Sequence, residues 1–321
     1  MSEFLALKKL MHSLQGKKSI IVNIDVFLMI FFNISGRKYS NVVLKGFYLE
    51  PEMQLVFKVL QNCIVELDLH FVVSIENFSF PVLSKLKTLR ISETYCETFV
   101  LNILRTSNTL IKVIFEKENY RESFFALIRE FFLGDNQIKE LKMYVHVANR
   151  ILGQTIGQSL QLESFKLCID KLSATLTNIN DFLATQTTLK NLDLCVIEDS
   201  TLKIITESLI NLEYLKLHCI DSLNLDSFTR YSHLNPSVVD LKLESFTTKS
   251  ILMFLKLFPN LKVLRISWAT DRELLLVFKT AKKLEKIYVK QRMELSLKLY
   301  NEMKEAEEDI NRNIQFLKDK S

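Results

Sequence analysis

Four residues in this chain have types that can hold a metal ion together: Cys168, Cys195, His218 and Cys219. Zinc takes thiolate and imidazole ligands at about 2.0 to 2.3 Å. Sequence distance keeps the first three apart, so only a fold that lays successive segments side by side brings them near one another. The competing reading is that Cys is a small apolar filler near strand ends; on that reading the chain has no metal site and no cofactor. Catalytic signatures are missing. The chain contains no G-x-x-x-x-G-K-[ST], no G-x-G-x-x-G, no H-E-x-x-H and no G-x-S-x-G, the arrangements that cradle phosphate, bind dinucleotides, hold catalytic zinc or raise a nucleophilic serine. His12, His70, His146, His218 and His233 are scattered, and Gly153 and Gly157 form a G-x-x-x-G outside any apolar 20-residue stretch. An enzyme is not expected.

The elements that would align Cys168, Cys195 and His218 come from a repeat. The stretch FPNLKVLRIS, Phe258 to Ser267, places Leu261, Leu264 and Ile266 at spacings of three and two. The same triplet recurs as Ile64-Leu67-Leu69, Leu86-Leu89-Ile91, Leu110-Val113-Phe115, Ile138-Leu141-Met143, Leu162-Phe165-Leu167, Leu189-Leu192-Leu194, Leu212-Leu215-Leu217, Val238-Leu241-Leu243 and Leu284-Ile287-Val289. Tyr39-Val42-Leu44 is a weaker first member. Successive starts lie 22 to 28 residues apart, the period of leucine-rich repeats. Positions four and six of each triplet point to one side of a short extended segment and bury there.

Helical spacing precedes most of these strands. It appears at Leu55-Val56-Val59-Leu60, Phe99-Val100-Ile103-Leu104, Phe124-Leu127-Ile128-Phe131, Leu202-Ile205-Leu209 and Leu274-Leu275-Phe278. Strand alternating with helix implies an α/β fold with a parallel sheet. One unit cannot bury its own apolar face, so neighbours stack. The expectation is a leucine-rich-repeat solenoid of about eleven irregular repeats, with a curved parallel sheet on the concave side and helices on the convex side.

FPNLKVLRIS, LINLEYLKLH (Leu209 to His218) and TLKNLDL (Thr188 to Leu194) resemble the repeats of F-box/leucine-rich-repeat proteins over roughly residues 37 to 290. RKYSNVVLKGF, Arg37 to Phe47, is similar to the segment that follows an F-box in insect-type members. The resemblance implies a substrate-recognition subunit of an SCF-type ubiquitin ligase, with a protein target on the concave face and a Skp-type adaptor and cullin as further partners. Residues 1 to 36 lack the Leu-Pro start and the Cys-Lys-Arg/Trp signature of that box. They are expected to form an N-terminal cap or a degenerate F-box-like segment. Residues 291 to 321 are expected to form a C-terminal amphipathic helix, with Leu295, Leu299, Met303, Ala306, Ile310, Ile314 and Leu317 on one side.

Positions three, five and seven of each repeat face the other way. The middle column reads Asp68, Arg90, Ile114, Lys142, Lys166, Asp193, Lys216, Lys242, Arg265 and Tyr288, six of them basic. Arg90, Lys142, Lys166, Lys216, Lys242 and Arg265, with Tyr214 and Tyr288 as aromatic anchors, are the candidate partner-binding residues. Tyr144 shares this face. Adding Lys112, Lys286 and Lys290 gives nine bases. Glu66, Glu116, Glu140, Asp240 and Glu244, with Asp68 and Asp193, give seven acids, so the face carries only +2. Local neutralisation is expected at Glu140 beside Lys142, and at Asp240 and Glu244 around Lys242. A nucleic-acid-binding protein using this column is an alternative, but the small net charge and sparse aromatics argue against it. A repeat scaffold with no ligase link is the other alternative.

The bulk numbers fit these expectations. The 321 residues carry 48% hydrophobic and 25% charged residues, a formal charge of +5, six Gly and four Pro. That is a globular composition too long for one ordinary core. Five Cys are odd in number and far apart, which points to a reducing compartment, cytoplasmic or nuclear. The apolar run Ile20 to Phe32 includes Asn23 and Asp25 and falls short of the about 20 residues that a spanning helix needs. No membrane association is expected.

Overall fold

The structure is a computed structural model that describes residues 19–22, 41–49, 61–62, 64–74, 81–92, 97–116, 120–168, 176–195, 197–218, 233–244, 246–292 and 315–318. The chain divides into two compact units, Met1–Leu160 and Gln161–Ser321. Each is an open α/β arrangement of parallel strands alternating with helices.

In the first unit the strands are β1 (Ser19–Val22), β2 (Asn41–Leu49), β3 (Glu66–Ser74), β4 (Thr88–Ile91), β5 (Lys112–Phe115) and β6 (Glu140–Tyr144). They lie in chain order, each hydrogen-bonded in parallel to the next. Helix α1 (Glu97–Thr106) joins β4 to β5 and α2 (Glu122–Leu133) joins β5 to β6; α3 (Val145–Ile151) and α4 (Gln154–Ser159) follow. The second unit repeats the plan with β7 (Ser164–Cys168), β8 (Asn191–Leu194), β9 (Tyr214–His218), β10 (Asp240–Glu244), β11 (Val263–Ala269), β12 (Lys286–Arg292) and β13 (Gln315–Lys318). Its described helices are α5 (Thr177–Leu183), α6 (Asp199–Glu207), α7 (Thr248–Leu257) and α8 (Asp271–Thr280).

Strand register and triplet alignment coincide. Position four runs Leu67, Leu89, Val113, Leu141 across the first unit. In the second it runs Phe165, Leu192, Leu215, Leu241, Leu264, Ile287. All ten are buried. Burying an aliphatic or Phe side chain contributes about 1.5 to 3 kcal/mol, and a one-residue slip would turn each of these rows to the opposite face. The register is therefore fixed by the sequence pattern. The helices bury the residues that the 3.6-residue period selects: Phe99, Val100, Ile103 and Leu104 of α1, Phe124, Ile128 and Phe131 of α2, and Leu202 and Ile205 of α6. The span Leu55-Val56-Val59-Leu60 lies outside the described residues.

A polar ladder at the strand entrances was not legible in the triplets. The residue just before position one reaches back to a backbone carbonyl of the preceding segment. Thr109 Oγ1 donates to Leu86 O (2.9 Å), Thr188 Oγ1 to Leu162 O (2.8 Å), Asn211 Nδ2 to Thr187 O (2.8 Å), Ser237 Oγ to Leu212 O (2.9 Å) and Asn260 Nδ2 to Pro236 O (2.8 Å). The turns that carry these carbonyls leave them outside any ladder, and a carbonyl buried without a partner is costly. Side chains with a donor at one repeating position meet that need.

Two strands extend the expected set. β1 pairs Ile20 with Val42 and Val22 with Leu44, so the start of the apolar run is a strand. β13 pairs Phe316 with Ile287 and Lys318 with Val289; at these four residues the expected C-terminal helix is replaced by a strand. Neither segment announces itself in the triplet pattern, because Lys17 stands at position one of the first and Lys318 at position six of the second. The rest of residues 1 to 36, and residues 293 to 314, lie outside the described residues. Among the described residues no helix is long and apolar enough to cross a membrane.

Candidate partner-binding face

Period-two alternation puts positions three, five and seven opposite the buried rows. The strand patterns read half-buried, buried, half-buried, buried, half-buried in β6, β7, β9 and β10, so the candidate side chains form a polar layer on the sheet. Ile114 departs from expectation. It belongs to this column but is buried, at 2% exposure. Arg90 and Lys142 flank it on the neighbouring strands. Both reach toward Glu116 Oε1, at 3.2 and 3.9 Å.

Arg90, Lys112 and Lys142, the three bases of the first unit's described face, are therefore paired. Glu116 holds Arg90 and Lys142, and Lys112 Nζ stands 2.6 Å from Glu140 Oε2. The expected neutralisation of Lys142 by Glu140 is redistributed: Glu140 serves Lys112 and Glu116 serves Lys142. Burial raises the Asp68 carboxyl above its ordinary value and Glu116 adds to the rise, while Arg90 and His70 oppose it.

The second unit carries a denser network. Asp193 and Glu244 are its two anions. Asp193 Oδ2 lies 2.7 Å from Lys166 Nζ and 3.8 Å from Lys216 Nζ. Glu244 Oε1 lies 3.3 Å from Lys216 Nζ and 3.4 Å from Lys242 Nζ. His218 spans both, with Nε2 3.4 Å from Asp193 Oδ1 and Nδ1 2.8 Å from Glu244 Oε2. Lys216, Lys242 and Asp193 keep only 16%, 15% and 15% of their side-chain surface in solvent. Burial alone would raise both carboxyls. The nearby His218 and the hydrogen bond from Lys166 hold Asp193 below its ordinary value, and His218 and Lys216 do the same for Glu244. Lys166, opposed by burial, is raised by its hydrogen bond to Asp193.

Beside this network stands a second cluster. Arg265 grips Asp240 through two parallel hydrogen bonds, Nε to Oδ1 at 3.1 Å and Nη2 to Oδ2 at 3.0 Å, the fork geometry that suits a guanidinium. Its Cζ lies 4.4 Å from the Tyr288 ring centroid, within cation–π range. Asp240 is beside Tyr214 in the register. Burial, with Asp240 and Asp193 nearby, pushes the Tyr214 phenol up to about 12. Expected neutralisation around Lys242 is met by Glu244, whereas Asp240 turns to Arg265.

Of the eight candidate residues, Arg90 and Lys142 meet in the first unit, and Lys166, Lys216 and Lys242 share one network in the second. Tyr214, Arg265 and Tyr288 group around Asp240. Sequence reasoning missed His218 as the bridge between Asp193 and Glu244; its signal was position seven, one register step from Glu244. For the metal reading, no group of three or more His, Cys, Asp or Glu that could hold an ion occurs among the described residues, and Cys219 lies outside them. Comparison with models of known protein families finds no match, and comparison with curated proteins finds none.

Proposed function

We propose that this chain is a non-enzymatic protein-interaction module of the leucine-rich-repeat type, and that its polar sheet face receives a segment of another protein. One observation carries the reading: Tyr214, Arg265 and Tyr288, residue types that dominate interface energetics, are grouped on the polar face of the second unit around one salt-bridged carboxylate. Rigid, paired side chains lose little freedom when a partner docks. Because the six candidate cations are already held by internal carboxylates, the partner is of mixed charge and exchanges ion pairs with the face. The resemblance to F-box/leucine-rich-repeat proteins extends the proposal to a substrate receptor of an SCF-type ligase.

The test is a pulldown of the full chain from cell extract, probed for the Skp-type adaptor and the cullin. Stoichiometric recovery of the adaptor supports the ligase role. Its absence, with folding verified by circular dichroism, leaves a repeat scaffold without a ligase link. For any partner recovered, charge reversal at Lys216 and Lys242 is expected to weaken binding and flatten its salt dependence. Unchanged affinity would defeat the sheet-face reading.

A further inference from the structure

We propose that Cys168 and Cys195 are a redox-sensitive pair that closes into a reversible disulfide across β7 and β8. Both are present as thiols. Leu167 and Leu194 are register partners, tied by the bond from Cys195 N to Leu167 O at 3.3 Å, and Cys168 and Cys195 are the residues that directly follow them. Alternation places Cys168 on the side of Lys166 and Cys195 on the side of Asp193. Two residues earlier in the same strands, that pair meets across the gap at 2.7 Å. Side chains in these two columns thus stand side by side on one face of the sheet.

The distances suit a labile bond. Neighbouring strands lie about 4.8 Å apart, inside the Cα separation of about 4.4 to 6.8 Å that disulfides span. Side chains standing parallel keep their Cβ atoms near that same spacing, slightly beyond the usual disulfide range of about 3.5 to 4.5 Å. Closure therefore pinches the strands slightly, and a pinched disulfide is readily reduced. Cys195 sits just past the last residue of β8. Roles divide by exposure. Cys168 is half-buried and reaches solvent, whereas Cys195 is buried. Lys166 and Cys168 share the half-buried side of β7, two residues apart, and a neighbouring cation favours thiolate attack.

The oxidant is a peroxide. The Cys168 thiolate attacks one peroxide oxygen; the O–O bond breaks, and the departing oxygen leaves as water after taking up a proton. Cys168 becomes a sulfenic acid. The Cys195 sulfur then attacks the Cys168 sulfur, the S–O bond breaks and a second water leaves. Two thiols lose two electrons in total, and one hydrogen peroxide becomes two waters. A small thiol such as glutathione reverses the bond by exchange.

The experiment treats the full folded chain with stoichiometric hydrogen peroxide, blocks remaining thiols and digests with trypsin. The diagnostic species joins LCIDK, Leu167 to Lys171, with NLDLCVIEDSTLK, Asn191 to Lys203, two hydrogens lighter than the separate peptides. We expect this link to exceed every other Cys pairing by about tenfold or more, as groups held in register react far faster than free ones. We also expect it to disappear on adding glutathione, and its excess to vanish when oxidation is done in urea. Cys195→Ala should leave Cys168 to progress to sulfinic acid. The proposal is overturned if the folded chain gives links through Cys219, Cys63 or Cys96 in equal yield, or if Cys168 overoxidises in the parent chain as readily as in Cys195→Ala.

Discussion

Substituting Asp193 by Asn tests whether the second unit's ion network stabilises the fold. The carboxylate holds Lys166 at 2.7 Å, lies 3.8 Å from Lys216 and faces His218. A hydrogen bond to a charged group contributes about 1.5 to 3 kcal/mol. Lys166 keeps 44% of its side-chain surface in water, so it re-solvates and the loss shrinks toward that of an exposed pair. Lys216 retains Glu244 at 3.3 Å. The single change should therefore cost about 1 to 2 kcal/mol, a Tm fall of about 2 to 8 °C for a unit this size. Glu244→Gln should cost at least as much, because Lys216 then retains Asp193 but the 15%-exposed Lys242 loses its pairing with Glu244. Together the two changes strip Lys216 of both anions while it is only 16% exposed, and an unpaired, largely buried charge is expensive. The double variant should lose about 1 kcal/mol more than the sum of the singles. Thermal and urea unfolding followed by circular dichroism at 0.15 M salt measure all three. A double loss equal to the sum within about 0.3 kcal/mol would refute the idea of a coupled network.

Acid should act through the same groups. Asp193 and Glu244 are held below their ordinary values in the fold, so the unfolded chain binds more protons near those values. Their stabilisation is whole above the ordinary carboxylate range and fades as pH falls through it toward the depressed folded values; the two neutralising variants should lose that share of the acid sensitivity. Asp68 is raised and has the opposite sign, so Asp68→Asn should gain stability at neutral pH, read as a higher urea midpoint. Alkaline difference spectroscopy should find one tyrosine ionising near 12, absent in Tyr214→Phe. Asn235→Ala removes donors to Ile205 O (2.7 Å) and Leu209 O (2.9 Å) from a buried site and should cost about 2 to 3 kcal/mol in urea unfolding; Asn235→Asp should not rescue it, since aspartate cannot donate. Thr270→Ala removes the capping box of α8 and should cost about 1 kcal/mol.

The sequence by itself determined the repeating plan. Apolar residues at positions one, four and six bury in the ten triplets from Ile64-Leu67-Leu69 to Leu284-Ile287-Val289, and their alignment is the strand register, because hydrophobic burial is one-dimensional information written at a fixed period. The helix faces of α1, α2 and α6 followed for the same reason, and the Thr270-x-x-Glu273 capping box is also a local signal. What escaped was set by geometry between distant residues. β1 and β13 join their neighbours through backbone hydrogen bonds, which a lysine at position one or six does not prevent. Ile114 is buried within a polar column because Arg90 and Lys142 converge on Glu116 beside it, an arrangement assembled from three strands. The mixed charges and their local neutralisation were expected, yet only side-chain reach decides that Glu140 turns to Lys112, that Asp240 turns to Arg265, and that His218 links Asp193 to Glu244. Sequence lists the charges; the strand spacing decides which of them touch.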